Sequence, residues 1–167
     1  LRKGLEFISP ALKPLSLFGN YTYLRSEVVF NDLSADSKTI KADRPLQGQS
    51  PYLINAGLQY TSDMFNASVL YNRVGQRLTL VGNEEFPNVY ERPRNQVDIQ
   101  LSKKVLDGQG EIRINFQDIL NNAFYFYENV NENTGFQEGV DRLFNSYKQG
   151  STITVGFTYD FNIGKKK

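Results

Sequence analysis

The chain has 167 residues, and its 19 Lys and Arg against 18 Asp and Glu give a formal net charge of +1. This balance argues against a nucleic-acid partner, because binding to a phosphate backbone normally needs a basic excess. The sequence contains no Cys and no His, which excludes a disulfide framework, Ser-His triads and His-ligated metal centres within these residues. We therefore expect that the chain is not an enzyme and that it binds no cofactor.

About seven strands are predicted, because six segments alternate between apolar and polar residues with the two-residue period of a strand, and one shorter run ends a further strand. The first is the short run at residues 5–8, which ends before Pro10. The other six, in chain order, lie at residues 15–24, 52–61, 65–72, 96–102, 111–117 and 152–161. We find no convincing helical period, so the predicted fold class is all-β.

Strand length and the placement of aromatic residues indicate a sheet that crosses a membrane. About ten residues of tilted strand span a bilayer, whereas strands of soluble sheets usually have about five or six. Tyr52 and Tyr60 lie at the two ends of one apolar face, and Tyr23, Tyr71 and Tyr159 end others, as in the aromatic girdles of outer-membrane barrels. The alternative interpretation is that Tyr is simply a good strand former at a half-exposed sheet edge.

The connections between strands support the membrane interpretation and set the strand directions. Short connections alternate with long ones, the short ones at residues 9–14, 62–63 and 106–110 and the long ones at 31–49, 82–93 and 121–150. Outer-membrane barrels have short periplasmic turns and long extracellular loops, so we expect a periplasmic C-terminus. Seven antiparallel strands leave the first and the last parallel, which prevents closure. We therefore expect residues 1–161 to be the C-terminal portion of a larger transmembrane β-barrel.

Four stretches carry a resemblance to a known family: residues 15–28 (LSLFGNYTYLRSEV), 44–61 (RPLQGQSPYLINAGLQYT), 95–120 (NQVDIQLSKKVLDGQGEIRINFQDIL) and 151–161 (STITVGFTYDF). In their order and spacing the chain resembles the C-terminal part of a TonB-dependent outer-membrane receptor of the Bacteroidetes type. The resemblance implies a barrel of about 22 strands around an N-terminal plug, located in a Gram-negative outer membrane. Such a receptor imports a scarce solute, namely a metal chelate, a vitamin, a glycan or a peptide.

The resemblance also implies partners and an assembly signal. The implied partners are outer-membrane lipid, the plug, the remaining barrel strands, the TonB complex acting through the plug, and a surface lipoprotein. Phe161 matches the final aromatic residue by which the assembly machinery recognises such barrels. Residues 162–167 follow it as a short basic tail that ends in three lysines.

Two sets of side chains are candidates for function. The candidate substrate contacts in the long connections are Glu84, Glu85, Tyr125, Tyr127 and Phe136. The alternatives are that the two glutamates belong to a solvated loop and that residues 124–127 only continue the sixth strand beyond the membrane. The candidate lumen-facing and plug-facing residues, on the polar side of neighbouring strands, are Asp98, Gln100, Arg113, Asn115 and Gln117.

Three other interpretations stay open. A passive pore or an adhesin-like barrel would bind a partner through the long connections without energy coupling, and an outer-membrane enzyme would need catalytic residues from other strands. A soluble β-sandwich is the alternative at the level of the fold. Because a sandwich buries its apolar face in a dry core, the choice depends on the surroundings of Leu17, Ile54, Val69, Ile99 and Val155.

Overall fold

The computed structural model describes residues 1–28, 44–83, 85–131 and 135–161, and these residues form antiparallel β-sheets. The strands, in chain order, are β1 (Arg2–Gly4), β2 (Leu15–Tyr23), β3 (Tyr52–Thr61), β4 (Phe65–Val74), β5 (Arg77–Leu80), β6 (Asn88–Glu91), β7 (Arg94–Val105), β8 (Gly110–Gln117), β9 (Phe124–Asn129), β10 (Arg142–Tyr147) and β11 (Thr152–Tyr159). No helix in this part of the chain is long and apolar enough to cross a membrane. The prediction of an all-β, antiparallel fold is confirmed.

Seven strands form one sheet, which we call the wall, in the order β1-β2-β3-β4-β7-β8-β11. Every neighbouring pair in the wall is antiparallel. The first and the seventh strand therefore run parallel to each other, as predicted, and they form the two edges of the wall within the described residues.

The strand register sorts the wall into two unlike faces. One row of directly opposed residues is apolar across six strands and consists of Leu17, Leu58, Val69, Ile99, Phe116 and Ile153. The adjacent row points to the other side and consists of Ser16, Gln59, Ser68, Gln100, Asn115 and Thr154. Because side chains alternate with a period of two, this register gives the wall one apolar face and one polar face.

The buried core does not lie on the wall. The buried hydrophobic side chains of the described residues are Leu78, Val89, Tyr90 and Tyr127, and all four belong to β5, β6 and β9. On the apolar face, by contrast, Leu17 is 53% exposed, Val69 40% and Val155 69%. No described segment packs these residues into a dry cluster, so the structure does not support the β-sandwich.

A second sheet extends the wall at the end of its long connections, with the strand order β10-β9-β6-β5. Each of its strands is joined through a short break to a wall strand, β5 to β4, β6 to β7, β9 to β8 and β10 to β11. The strands β5, β6, β9 and β10 have the same side-by-side order as the wall strands to which they are joined. The second sheet therefore follows on from the ends of four wall strands. Pro93, which lacks an N–H, and the positive φ angles of Asp118 and Asn121 interrupt the ladders at two of the breaks.

The structure corrects two predictions about strands. Residues 5–8 are not a strand, because the first strand lies upstream at Arg2–Gly4 and the chain turns through a 3-10 segment at Pro10–Leu12. The Leu5 N–H donates to the Leu15 carbonyl at 2.9 Å and ends that ladder. Residues 124–127 do not continue β8, because the break at residues 118–123 sets them in β9, which pairs with β6 and β10.

Candidate functional site

The first candidate site is the polar face of the wall, where the predicted lumen-facing residues lie. The Gln100 amide donates from Nε2 to Asn115 Oδ1 at 2.9 Å across β7 and β8. Arg113 pairs with Glu111 at 2.7 Å on its own strand, and Gln117 is exposed at the end of β8. The structure therefore brings Gln100 and Asn115 into direct contact and leaves the other two side chains available to solvent or to a partner.

Asp98 belongs to a connected network at the upper end of the same face. Its carboxylate accepts from Gln96 Nε2 at 3.1 and 3.2 Å and from the Asp118 backbone N–H at 2.8 Å. Arg94 in turn donates to Asp118 Oδ2 at 3.1 Å and to Gln96 Oε1 at 3.0 Å. The network ties the start of β7 to the break after β8, where the wall ends and the second sheet begins.

Sequence reasoning missed Arg94, Gln96 and Asp118. Arg94 and Gln96 extend the alternation of Asp98 and Gln100 backwards by four residues, and that pattern could have revealed them. Asp118 has a φ of 51°, a left-handed conformation that Asp tolerates better than most residues. The position of its carboxylate depends on this turn, and the period of a strand does not predict it.

The second candidate site is a group of rings on the second sheet, which we call the aromatic cluster and which consists of Tyr90, Tyr125, Tyr127 and Phe136. The Tyr127 ring stacks on Tyr90 at 6.2 Å and meets Phe136 edge-on at 5.2 Å between ring centroids. The Arg92 guanidinium lies 4.4 Å from the Phe136 centroid and 5.6 Å from that of Tyr125. Rings and a cation in this arrangement can stack on a sugar or a chelate.

The predicted substrate contacts are not equally accessible. Tyr125 is 41% exposed, whereas Tyr127 is 1% exposed in the core of the second sheet. Tyr127 therefore supports its neighbouring rings from beneath and is not placed to touch a ligand. Glu85 is exposed in the β5–β6 turn, where the Asn83 side chain accepts its backbone N–H at 2.9 Å. Glu84 lies outside the described residues.

Burial changes the acidity of two rings in the cluster. Burial, with a smaller effect of the Asp141 carboxylate, raises the pKa of Tyr127 from 10.0 to about 12. Burial also raises the pKa of Tyr90, against the opposing charge of Arg44. Both phenols therefore keep their protons to a higher pH than an exposed tyrosine does.

Asp141 is a further residue that sequence reasoning missed. One carboxylate oxygen accepts the Val130 N–H at 2.9 Å and the other accepts the Gln137 N–H at 2.7 Å. Because Gln137 follows Phe136, this clamp holds the Phe136 ring against Tyr127. Within the residues that the structure covers, no group of acidic side chains is arranged to hold a metal ion. The aromatic cluster is a stacking surface with the Arg92 guanidinium beside its rings.

Comparison with known proteins shows a family match. A sequence model of the outer membrane protein beta-barrel family matches residues 15–159, a range that begins at the first residue of β2 and ends at the last residue of β11. Neither the curated proteins nor the solved structures gave a match. The matched range contains six of the seven wall strands and the whole described part of the second sheet.

Proposed function

Because the chain belongs to the outer membrane protein beta-barrel family, we propose that it forms part of the wall of a TonB-dependent receptor that imports a scarce solute. Its place in the outer membrane follows from the family. The observation that carries the proposal is the register of the wall, which sets six apolar residues in one exposed row and six polar or small residues in the adjacent row. A sheet with lipid on one side and a polar lumen on the other needs this pattern.

The proposed orientation follows from the connections. The turns at residues 62–64 and 106–109 are short, whereas the second sheet occupies the opposite end of the wall. We assign the short turns to the periplasm and the second sheet to the cell surface. The chain then leaves β11 on the periplasmic side, where the Asp160 N–H donates to the Gln109 carbonyl at 2.8 Å.

The wall needs further strands to become a barrel. Its edge strands β1 and β11 are parallel, so they cannot pair as antiparallel neighbours, and each unpaired backbone group in hydrocarbon costs several kcal/mol. We propose that the remaining strands complete a barrel of about 22 strands around a plug. In that barrel Asp98, Gln100, Arg113, Asn115 and Gln117 face the lumen and hydrogen-bond the plug, and Phe161 serves as the assembly signal.

The proposed substrate surface lies on the second sheet. Tyr125 and Phe136 present rings beside Arg92, which suits a glycan, a vitamin or an aromatic metal chelate. Glu85 would add a carboxylate from the β5–β6 turn. Coupling to the TonB complex would run through the plug, and a surface lipoprotein could cover the second sheet. No catalytic role is part of this proposal.

A second candidate function is an adhesin-like barrel. The observation that favours it is the outermost strand of the second sheet, β10, which is exposed along its whole length. Two of its apolar side chains, Leu143 and Phe144, are 61% and 52% exposed. An exposed apolar strand edge is a surface on which another protein can add a strand.

An uptake experiment separates the two functions and a passive pore. The full-length protein is produced in matched strains with and without a working TonB complex, and the uptake of labelled chelates, vitamins, glycans and peptides is measured. The receptor proposal predicts saturable uptake of one solute class that is lost without TonB. Uptake of equal rate in both strains would identify a pore. Absence of uptake, together with binding of a protein partner that is lost on β10 substitution, would identify an adhesin.

A further inference from the structure

A cavity of about 500 Å³ lies where the wall meets the second sheet, beside the apolar face. Tyr23 and Tyr52 lie directly opposite each other and have the same parity as Leu17 and Leu58, so both belong to the apolar face. The main polar and aromatic residues that line the cavity are Tyr23, Arg25, Gln49, Tyr52, Gln76 and Tyr90. None of the described residues that line it is acidic.

Two arginines near the cavity, unlike four others in the described part of the chain, have no carboxylate partner there. Arg77, Arg94, Arg113 and Arg142 each pair with a carboxylate within 3.1 Å. Arg25 is exposed and makes no hydrogen bond or ion pair with a described residue. Arg73, opposite Ile54 on the apolar face, hydrogen-bonds neutral groups among the described residues, including Asn95 Oδ1 at 2.6 Å and the Tyr52 hydroxyl at 3.3 Å. Among the described residues, Arg25 and Arg73 therefore bring two positive charges without a carboxylate partner to the neighbourhood of Tyr52.

We propose that this cavity binds the phosphorylated sugar headgroup of a glycolipid in the outer leaflet. The inference rests on the orientation given under the proposed function, which places this end of the wall at the cell surface. Arginine guanidinium groups match phosphate oxygens in charge and in geometry. The Gln49 and Gln76 amides can hydrogen-bond sugar hydroxyls, and the Tyr23 ring, which is 66% exposed, offers a face for a sugar ring.

A lipid fits the site better than a free sugar phosphate, because the cavity is continuous with the apolar face. Below Tyr23 and Tyr52 the same face presents Tyr21 and Leu58, which are 63% and 39% exposed. Acyl chains attached to a headgroup in the cavity would lie along this surface. Tyrosines with one apolar and one polar side are also the residues that occupy the boundary between hydrocarbon and headgroups.

The test measures binding of a lipid A-type glycolipid to the full-length protein in detergent. The probes are the bisphosphorylated glycolipid, the same glycolipid after phosphatase treatment, its free headgroup disaccharide phosphate, and phosphatidylglycerol. We expect the bisphosphorylated glycolipid to bind at least about tenfold more tightly than each of the other three, since charge-assisted bonds to phosphate supply that difference. Equal binding of the dephosphorylated glycolipid, the free headgroup or phosphatidylglycerol would overturn the proposal.

Charge variants connect the binding to the cavity. Arg25→Gln removes a charge without removing a contact in the described structure, and Arg25→Gln/Arg73→Gln removes both charges. We expect the dissociation constant for the glycolipid to rise about threefold and about tenfold or more, respectively. Lys103→Gln is the matched control, because it removes an exposed positive charge at the short-turn end of the wall, and it should leave the dissociation constant unchanged. A double variant that binds like the wild type, or a control that loses as much affinity, would refute the site.

These outcomes are separate from transport. The binding assay needs neither the plug nor TonB, so loss of glycolipid binding in the variants with normal solute uptake would confirm the site and leave the receptor proposal intact. If the wild-type protein shows TonB-dependent uptake but no preference for the glycolipid, the receptor proposal stands and the glycolipid site is refuted.

Discussion

Replacing Val69 with Arg tests which side of the wall faces lipid. Val69 is in the middle of the apolar row and is the fifth of the ten residues of β4. At about 3.3 Å per residue and a tilt of about 40°, this strand spans about 25 Å of height, the thickness of the apolar band of a membrane barrel. Val69 therefore lies near the bilayer midplane.

The magnitude follows from that depth. An Arg side chain on the lipid face at the midplane costs about 2–4 kcal/mol, and the cost falls to about 0–1 kcal/mol near the interfaces. Ser68 is the matched control, because it has nearly the same depth but lies between Gln59 and Gln100 on the polar face. We expect Ser68→Arg to change the free energy of unfolding by less than about 1 kcal/mol.

The measurement is an equilibrium denaturant titration of the full-length protein and both variants in lipid vesicles. The expected result is a lower unfolding midpoint for Val69→Arg only, with the slope unchanged. Two equally stable variants would show that no hydrocarbon lies against Val69. A larger loss for Ser68→Arg would mean that the faces are assigned the wrong way round, and the proposed lumen would then have to be abandoned.

Two further predictions concern charges at the second sheet and its junction with the wall. Asp118→Asn should lower stability by about 2 kcal/mol, because Arg94 then lacks its charged partner in a largely buried pair. Glu111→Gln, in the exposed pair with Arg113, should cost less than about 1 kcal/mol. Hydrogen exchange of the 118–123 amides should be about 30-fold faster in Asp118→Asn only, and equal exchange rates in the two variants would contradict the assignment. Because the pKa of Tyr127 is raised from 10.0 to about 12, the unfolded state loses its proton first as pH rises, so stability should fall by up to about 2–3 kcal/mol between these pH values. Tyr127→Phe should remove this pH-dependent part of the unfolding free energy, and Tyr125→Phe should retain it; identical pH profiles of Tyr127→Phe and the wild type would refute the burial argument.

The wall could be predicted from the sequence because lipid imposes a strict rule on it. Every outward residue of a spanning strand must be compatible with hydrocarbon, so the alternation extends over eight or more residues in most of the wall strands, β3 and β4 among them. The same alternation identified Gln100 and Asn115 as polar neighbours, and the structure shows the hydrogen bond between them. The failure at residues 5–8 has the opposite cause, since four residues, three of them apolar, do not define a period.

The second sheet could not be predicted because its strands are short and irregular. β5 and β6 have four residues each, which are too few to show a period. The β5–β6 ladder and the β9–β10 ladder each contain a register shift. Gly82, Asn83 and Pro87 are the usual residues of loops, and they concealed a hairpin. The contacts that hold this sheet, such as Tyr90 on Tyr127, join residues far apart in the sequence.

The two sheets are therefore adapted to different solvents, the second sheet to water and the apolar face of the wall to hydrocarbon, and this difference connects fold to function. The second sheet makes its own core from Leu78, Tyr90 and Tyr127, as a structure in water must. The wall leaves its apolar row uncovered, so hydrocarbon has to supply the contacts that a protein core supplies elsewhere. The cavity beside Tyr52 lies at the boundary between the wall and the second sheet, which is also where a membrane changes from acyl chains to charged headgroups. A ligand with a polar head and apolar tails matches that boundary, whereas a fully water-soluble one matches only the aromatic cluster above it.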